Sequence, residues 1–367
     1  MSTMRRAKIL YVLYSLYAGG LENGIINLIN RSSEEFEHIV CCLMKRGVLA
    51  NRLTPQVKII EMDMKEGNDY FMPLRIAGML KAEQIDIVRA FTEDPLFYSF
   101  FPATLTKRPL IYYVGGKSGG QKKRRLILER LFAKRASAVV VPSEALRKHI
   151  AWQVGVKEEK IRVISNGVDV DRFEKPVDVM RTKEELCIPQ KDLVIGAVGR
   201  LVKQKDYSTF LRIAKALLQR RNDTTFVIVG DGELRLDLEC TAKELGIFER
   251  VKFLGVRNDL DRIYKVMDIF MHTSRWEGMS NATLEAMACR KPVLVTDVEG
   301  MSQIIRSGVN GFVFEPGDVD GFVSIILQLS QEKIKELGDR AFLTVRDHFS
   351  IEEMVRRYED LYREFLQ

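Results

Sequence analysis

The sequence predicts an α/β protein of two doubly wound domains, each built on a parallel sheet. Its 367 residues exceed the usual size of one domain and can form two separate cores. Short runs rich in Val and Ile alternate with segments of helical periodicity, which is typical of parallel sheets with crossover helices. The two sets of strands are separated by the charged segment 169–192, which contains Pro176 and Pro189 and is expected to be a linker.

Strands are predicted in two groups along the chain. The first group lies near 8–16, 37–44, 57–63, 86–91, 109–114, 137–142 and 161–165. The second lies near 193–199, 225–230, 251–255, 268–273, 292–296 and 311–314. Segment 350–367 has the spacing of an amphipathic helix. We expect 1–166 with helix 350–367 to form the first domain and 167–349 the second, with ligands in a cleft at the carboxyl ends of both sets of strands.

Cysteine usage and apolar run lengths bear on where the protein works. The five cysteines show no C-x-x-C pair and no regular spacing, which argues against a disulfide framework and a zinc site and favours a reducing cytoplasm. No apolar run approaches the roughly 20 residues of a membrane span. The run from Ile9 to Leu16 resembles the core of a signal peptide, but it leads directly into a helix-spaced stretch and is expected to be a buried first strand.

The most informative motif is Glu277-Gly-Met-Ser-Asn-Ala-Thr-Leu-Glu285. Ser280 or Asn281 is a good N-cap, so we expect Glu285 in the first turns of a helix and Glu277 in the loop before it. Backbone N–H groups at a helix start bind phosphate, and carboxylates accept hydrogen bonds from sugar hydroxyls. The alternative is a charged surface turn that caps a packing helix.

Three further features follow predicted strands. Strand 193–198 leads into Gly199-Arg200 and Lys205, two cations suited to a diphosphate. Strand 225–229 ends in Gly230-Asp-Gly, a turn that permits close approach of a ligand. The first strand is followed by Gly19-Gly20 at a helix start, without the third glycine of a dinucleotide fingerprint.

Taken together, and in this order, these motifs resemble the retaining glycosyltransferases of family 4, whose GT-B architecture consists of two facing Rossmann-like domains. The resemblance covers nearly the whole chain and includes Asn166-Gly-Val-Asp169 and Phe253-Leu-Gly. It implies a metal-independent hexosyltransferase-type enzyme that needs no cofactor. The substrates would be a nucleotide diphosphate sugar, most readily a UDP-sugar, and a lipid-linked or glycan acceptor in cell-surface polysaccharide synthesis.

The resemblance also implies roles for individual residues. Arg200 and Lys205 would hold the diphosphate, Glu285 the ribose, and Glu277 the transferred sugar. The remaining donor contacts would come from Gly19, Gly20, Gly230, Val256 and Arg257, and from the backbone of Met279, Ser280, Asn281, Ala282 and Thr283.

The chain departs from the family pattern at two positions. Members commonly carry a His after the strand that corresponds to 109–114, where this chain has Gly115-Gly116, so no catalytic His is assigned. In the loop after Gly300, where members usually carry a Glu, this chain has Gln303. The D-x-D sequences at Asp169 and Asp318 match a metal-binding pattern, but the first lies in the junction motif Asn166–Asp169 and the second opens a helix, where Asp caps. Both are expected to be structural, and with Arg200, Lys205 and a helix start available no metal is expected.

Two other functions share some of these features. GT-B domains also occur in nucleotide-sugar epimerases and phosphorylases, because fold alone does not set function. A nucleic-acid-binding protein could use the basic stretch 117–135, but that stretch has little aromatic interleaving, so no nucleic acid partner is expected.

The net charge of +7 is concentrated in one stretch. Segment 117–135 holds eight basic residues and one acidic residue, so the rest of the chain is neutral. Apolar residues at 126, 127, 128, 131 and 132 alternate with the basic ones, as in an amphipathic helix at a membrane surface. The alternative is a core helix with a solvated basic face. We expect a peripheral association with anionic membrane, with an acceptor surface formed by Lys117, Lys122, Lys123, Arg124 and Arg125.

Overall fold

The computed structural model of the chain describes residues 5–17, 19–64, 69–116, 123–277, 279–298 and 301–367, with the backbone alone at 123 and 124. The chain divides into two compact units. Unit 1 comprises 1–167 and 351–367, and unit 2 comprises 168–350. The boundaries expected from the sequence differ from these by one residue.

Unit 1 contains a seven-stranded sheet within the described residues, in the order β3-β2-β1-β4-β5-β6-β7, and every pair of neighbours is parallel. The strands are β1 (Ala7–Leu13), β2 (Phe36–Cys42), β3 (Lys58–Glu61), β4 (Ile87–Phe91), β5 (Leu110–Tyr113), β6 (Ala138–Val141) and β7 (Ile161–Val163). The predicted first group of strands is confirmed, although β1 ends three residues earlier than expected.

Helices cover both faces of this sheet, so alternate residues of β1 enter different cores. Leu10 and Val12 pack on one face, while Ile9 and Tyr11 pack on the other. The helices before the interdomain boundary are α1 (Gly20–Arg31), α2 (Met72–Ala82), α3 (Glu93–Leu105), α4 (Lys123–Arg135) and α5 (Glu144–Gln153).

Unit 2 repeats this plan with a parallel sheet of six strands among the residues described, in the order β10-β9-β8-β11-β12-β13. The strands are β8 (Leu193–Val198), β9 (Thr224–Val229), β10 (Val251–Phe253), β11 (Ile269–His272), β12 (Val293–Thr296) and β13 (Gly311–Phe314). The helices are α6 (Val170–Glu174), α7 (Val179–Glu185), α8 (Tyr207–Leu218), α9 (Arg235–Glu244), α10 (Leu260–Val266), α11 (Asn281–Ala288), α12 (Met301–Ile304), α13 (Val319–Gln328) and α14 (Gln331–His348).

The linker predicted at 169–192 is wrong, because this segment folds into α6 and α7 and belongs to unit 2. Val170, Phe173 and Ile188 are buried in the core of that unit. Each helix is capped by an aspartate, since Asp169 accepts from the Arg172 N–H and Asp178 from the Arg181 N–H. These few apolar residues are enough to pack both helices against the core, because the helices are short and bury one side only.

The last helix, α15 (Ile351–Leu366), returns to unit 1, as its amphipathic spacing predicts. Tyr362 is fully buried, and its hydroxyl accepts a hydrogen bond of 2.6 Å from the Arg89 guanidinium on β4. The same guanidinium lies 4.1 Å from the ring centroid of Tyr358. A buried cation held by aromatic faces and a phenol therefore joins the end of the chain to the middle of the first sheet. Across the described part of the chain, no helix is both long and apolar enough to cross a bilayer.

Candidate functional site

The strand order of each sheet defines where a ligand site belongs. In unit 1 the order reverses between β1 and β4, and in unit 2 it reverses between β8 and β11. Ligands of open parallel sheets bind at the carboxyl ends of the strands that flank such a switch point, because the two crossover connections leave in opposite directions there. The loops after β8 and β11 are therefore the first place to examine in unit 2.

These two loops are held together by their own backbone and side chains. The Arg275 N–H donates to the Gln204 carbonyl at 2.9 Å, and the Gln204 amide donates to the Trp276 carbonyl at 2.9 Å. The Thr273 hydroxyl donates to the Lys205 carbonyl at 3.1 Å. Because several independent hydrogen bonds connect the loops, the side chains they carry are set at defined positions.

The loops bring Lys205 and Glu277 into a direct ion pair, although 72 residues separate them in the sequence. Both side chains are only 15% exposed. Burial disfavours the ionised form of Glu277, but the nearby His272 imidazole and the Lys205 ammonium outweigh it and hold the pKa of Glu277 at about 2. Arg200, at the start of the first loop, is exposed and has no ion-pair partner among the described residues. The switch point thus combines one paired cation with one available cation.

A fourth ionisable group, His272, lies close to this pair, at the last position of β11. It is 4% exposed, and its Nε2 lies 2.9 Å from the Ser274 hydroxyl and 3.7 Å from Glu277 Oε2. Burial lowers the pKa of His272; Glu277 opposes this shift and Lys205 adds to it, and the net result is a pKa below the ordinary value, so the ring is neutral near pH 7. Sequence reasoning found no role for this histidine. The signal that could have identified it as a site residue is its position at the end of a strand, five residues before Glu277.

The Glu277–Glu285 motif has the expected local structure. Ser280 is the N-cap of α11, and its hydroxyl accepts from the Thr283 N–H at 3.3 Å. The cap therefore uses one of the backbone donors that the resemblance assigns to the donor substrate. Glu285 lies on α11 and accepts a hydrogen bond of 2.9 Å from the Tyr264 hydroxyl. Burial raises the pKa of Glu285, while this hydrogen bond and Arg172 oppose the rise.

Glycine at position 230 is required by the packing of the loops after β8 and β9. Gly230 has a φ of 128°, and a Cβ there would overlap the carbonyl oxygen of Gly199. Its N–H donates to the Gly255 carbonyl at 2.8 Å, in the loop after β10. Three glycine-containing loops therefore stack along the carboxyl edge of this sheet. Beyond them, Val256 is 76% exposed and Arg257 pairs with Asp259 at 2.7 Å.

The remaining predicted positions lie in unit 1 or outside the described residues. Gly19 and Gly20 lie at the start of α1, which follows β1 at the first switch point. Lys117 and Lys122 lie outside the described residues, and the backbone at 123 and 124 belongs to α4. Arg125 forms an ion pair of 3.3 Å with Asp94.

Both D-x-D sequences lie at helix starts, which was expected for Asp318 but not for Asp169. Asp169 caps α6, and the Asp318 carboxylate accepts from the Gly321 N–H at 2.9 Å at the start of α13. Among the residues that the structure describes, no three His, Cys, Asp or Glu side chains cluster as a metal site requires.

Two family models and one full-length relative decide the family. The model described as Glycosyltransferase Family 4 matches residues 18–172, and the model described as Glycosyl transferases group 1 matches residues 178–341. The lipopolysaccharide core biosynthesis glycosyltransferase LpsE of Rhizobium meliloti is 30% identical over 350 residues, which cover 94% of this chain and 95% of LpsE. The chain belongs to the family 4 glycosyltransferases. It is therefore a transferase enzyme, as the motifs predict.

Other similarities agree with this assignment. The glycosyltransferase is 29% identical over 296 residues to the UDP-Gal:alpha-D-GlcNAc-diphosphoundecaprenol alpha-1,3-galactosyltransferase of Escherichia coli, with 77% of this chain and 76% of that protein covered. The structure of Anabaena Alr3699/HepE in complex with UDP superposes with a TM-score of 0.87 at 22% identity, over 97% of this chain and 100% of that chain. The GT-B fold predicted from the motifs is confirmed.

The ion pair at the switch point predicts a pH-dependent contribution to stability. Folding lowers the pKa of Glu277 to about 2, so the contribution is complete above pH ~5 and is lost as the pH falls toward 2. We expect Glu277→Gln to lower the free energy of unfolding by about 1–3 kcal/mol near pH 7, and by less at pH 3.5. Urea unfolding at both values measures this.

The matched control is the double variant Lys205→Met with Glu277→Gln, which removes both charges. We expect it to be more stable than Glu277→Gln alone, since no cation is left without its partner. A cost for Glu277→Gln that stays constant between pH 7 and pH 3.5 would contradict the assigned ion pair.

Proposed function

We propose that this glycosyltransferase transfers a sugar from a UDP-sugar to a lipid-linked or glycan acceptor, with retention of the anomeric configuration, in cell-surface polysaccharide synthesis. The observation that carries the proposal is the Lys205–Glu277 pair at the switch point of unit 2, with the exposed Arg200 in the same loop as Lys205. Two cations and a carboxylate match the two parts of a nucleotide sugar, because the diphosphate needs positive charge and the sugar needs hydrogen-bond acceptors.

Each residue then has a stated role. Arg200 and Lys205 neutralise the diphosphate, and Lys205 exchanges Glu277 for a phosphate oxygen when the donor enters. Glu277, released from the ammonium, accepts hydrogen bonds from hydroxyls of the transferred sugar. The start of α11 lies within the same motif and offers N–H groups to the sugar and phosphate.

The nucleoside part of the donor is bound by the remaining site residues of unit 2. Glu285 accepts hydrogen bonds from the ribose, in a position where Tyr264 already orients its carboxylate. The backbone around Val256 and Arg257 lies beside the base, in a loop packed against the glycine stack. The relative named for UDP-galactose and the neighbour solved with UDP support uridine as the base.

We further propose that retention proceeds by attack on the leaving-group side of the sugar. The bond from the anomeric carbon to the diphosphate oxygen breaks while the bond to the acceptor oxygen forms on the same face. The acceptor's proton passes to the departing diphosphate. Catalysis then rests on stabilisation of the negative charge that develops on the diphosphate, which Arg200 and Lys205 provide without a metal ion.

A first prediction tests the diphosphate assignment. Arg200→Ala and Lys205→Ala each remove a charge-assisted hydrogen bond worth about 1.5–3 kcal/mol, so we expect kcat/KM for the donor to fall roughly tenfold or more. The matched control is Lys203→Ala, which removes an exposed cation from the same loop and is expected to leave kcat/KM unchanged. Transfer at the wild-type rate by both site variants, measured at low donor concentration, would remove the assignment.

A second prediction separates the two carboxylates of the motif. We expect Glu285→Gln to weaken binding of bare UDP about tenfold, because a ribose contact is worth about 1.4 kcal/mol or more. We expect Glu277→Gln to lower kcat without weakening the binding of UDP, because Lys205 then has no carboxylate partner to leave before it meets the diphosphate. Isothermal titration with UDP and steady-state rates measure the two effects. Loss of UDP binding in Glu277→Gln alone would show that the roles are reversed.

We also propose a cytoplasmic enzyme that associates peripherally with an anionic membrane surface, where a lipid-linked acceptor would reside. The relative named for a diphosphoundecaprenol substrate supports a lipid-linked acceptor. The five cysteines are free thiols, as expected in a reducing compartment.

The surface of α4 supports this proposal over a buried core helix. Phe132 is 7% exposed and anchors α4 in the core of unit 1, whereas Ile127, Leu128 and Leu131 on the same helix are exposed. The Phe101 ring of α3 lies 5.6 Å from that of Phe132, which brings the exposed surfaces of both helices together. Exposed apolar side chains from both helices form what we call the α3–α4 patch: Phe101, Leu105, Ile127, Leu128 and Leu131.

A third prediction tests membrane association by sedimentation with vesicles at physiological salt. We expect binding to vesicles rich in phosphatidylglycerol and little binding to phosphatidylcholine, because each basic residue near an anionic surface contributes about 1 kcal/mol. We expect binding to be abolished when serine replaces the four basic residues Lys122, Lys123, Arg124 and Arg125. We expect binding to be weakened when serine replaces Ile127, Leu128 and Leu131, because less apolar surface is then buried in the membrane.

The control for the apolar variant is Leu236→Ser on α9 of unit 2, where the leucine is 74% exposed. It is expected to sediment as the wild type does. Equal, negligible binding of wild type to both kinds of vesicle, unchanged by the serine variants, would defeat the membrane proposal and leave the transferase assignment intact.

A further inference from the structure

His272 is an ionisable group in contact distance of the site that the proposed reaction does not yet use. It is buried at the end of β11, and its two ring nitrogens have different surroundings. Nε2 faces the Ser274 hydroxyl at 2.9 Å and Glu277 Oε2 at 3.7 Å. Nδ1 is buried and has no hydrogen-bond partner among the described residues.

The surroundings of the two nitrogens assign the proton of the neutral ring. A buried N–H without a partner is rarer and more costly than a buried acceptor with an unused lone pair. The proton therefore belongs on Nε2, where it is donated to the Ser274 hydroxyl. Nδ1 is left as the unused acceptor.

Lys205 and His272 face the same oxygen of Glu277, which links the histidine to donor binding. In the structure the ammonium of Lys205 occupies Oε2, and the His272 N–H is directed to Ser274. When Lys205 moves to the diphosphate, the mostly buried carboxylate loses its partner, and an unpaired buried charge is costly. The imidazole offers a donor at 3.7 Å from Oε2, less than 1 Å beyond hydrogen-bond distance.

We infer that His272 is a positioning residue, which donates its Nε2–H to Glu277 Oε2 in the donor complex and so holds that carboxylate against the transferred sugar. This inference rests on the proposed roles of Lys205 and Glu277. The N–H has a partner in both states, Ser274 without donor and Glu277 with it. His272 acts through Glu277 and does not itself contact the substrate.

Three substitutions at one position separate positioning from structural support. His272→Gln places an amide N–H near the position of Nε2, His272→Asn places one near Nδ1 only, and His272→Phe keeps the ring without a donor. We expect kcat to fall roughly 10- to 100-fold in the Asn and Phe variants, as for a misplaced catalytic group, and to recover most of its value in the Gln variant. The affinity for bare UDP is expected to stay within about twofold in all three.

The pH profile of kcat is a readout that a structural role would not change. The titratable groups of the described residues that act on Glu277 are Lys205, His272 and, on α8, Tyr207. Removal of His272 raises the pKa of Glu277, so we expect the acidic limb of the profile to move to higher pH in the Asn and Phe variants. In the Gln variant it is expected to stay near its wild-type position.

The control is His38→Phe. His38 is a second buried histidine, which lies in unit 1 and contacts Tyr11 rather than Glu277. It is expected to change stability without moving the pH profile. Equal kcat values in the Gln and Asn variants, or an acidic limb that does not move, would overturn the inference. If Glu277→Gln also kept wild-type kcat, the proposed role of Glu277 would fail first, and the two failures are therefore distinguishable.

Discussion

The ion pair between Lys205 and Glu277 is the interaction around which the candidate site is organised. Two mostly buried charges stabilise a fold only when they meet in good geometry, because each alone would carry a large desolvation penalty. That requirement links the loop after β8 to the loop after β11 and explains the hydrogen bonds that join them.

The sheet connectivity of unit 2 makes this pair possible. Because β8 and β11 are parallel neighbours, the loops that follow them begin side by side at the carboxyl edge of the sheet. The edge itself is lined by glycines. At Gly230 a side chain would overlap the Gly199 carbonyl, so the loops pack backbone to backbone.

Unit 1 also consists of a parallel sheet covered by helices. One of these helices, α15, comes from the C-terminal part of the sequence. The α15 helix packs through Tyr358 and Tyr362 around the buried Arg89, so the last residues of the sequence complete the first core. On the other face of the sheet, α4 is anchored by Phe132 while its neighbours Leu128 and Leu131 stay exposed. A helix fixed in this way can present basic and apolar groups together without unfolding.

The sequence by itself determined the fold class, the strands and the position of the Glu277–Glu285 motif, because hydrophobic periodicity and capping are local properties of the chain. It did not reveal that 169–192 is helical, since Val170, Phe173 and Ile188 become a core only when packed on unit 2. Nor did it reveal the partners of Glu277. Lys205 and His272 are brought to one oxygen by the order of strands β8 and β11, and strand order is decided by packing across the whole sheet rather than by any local pattern.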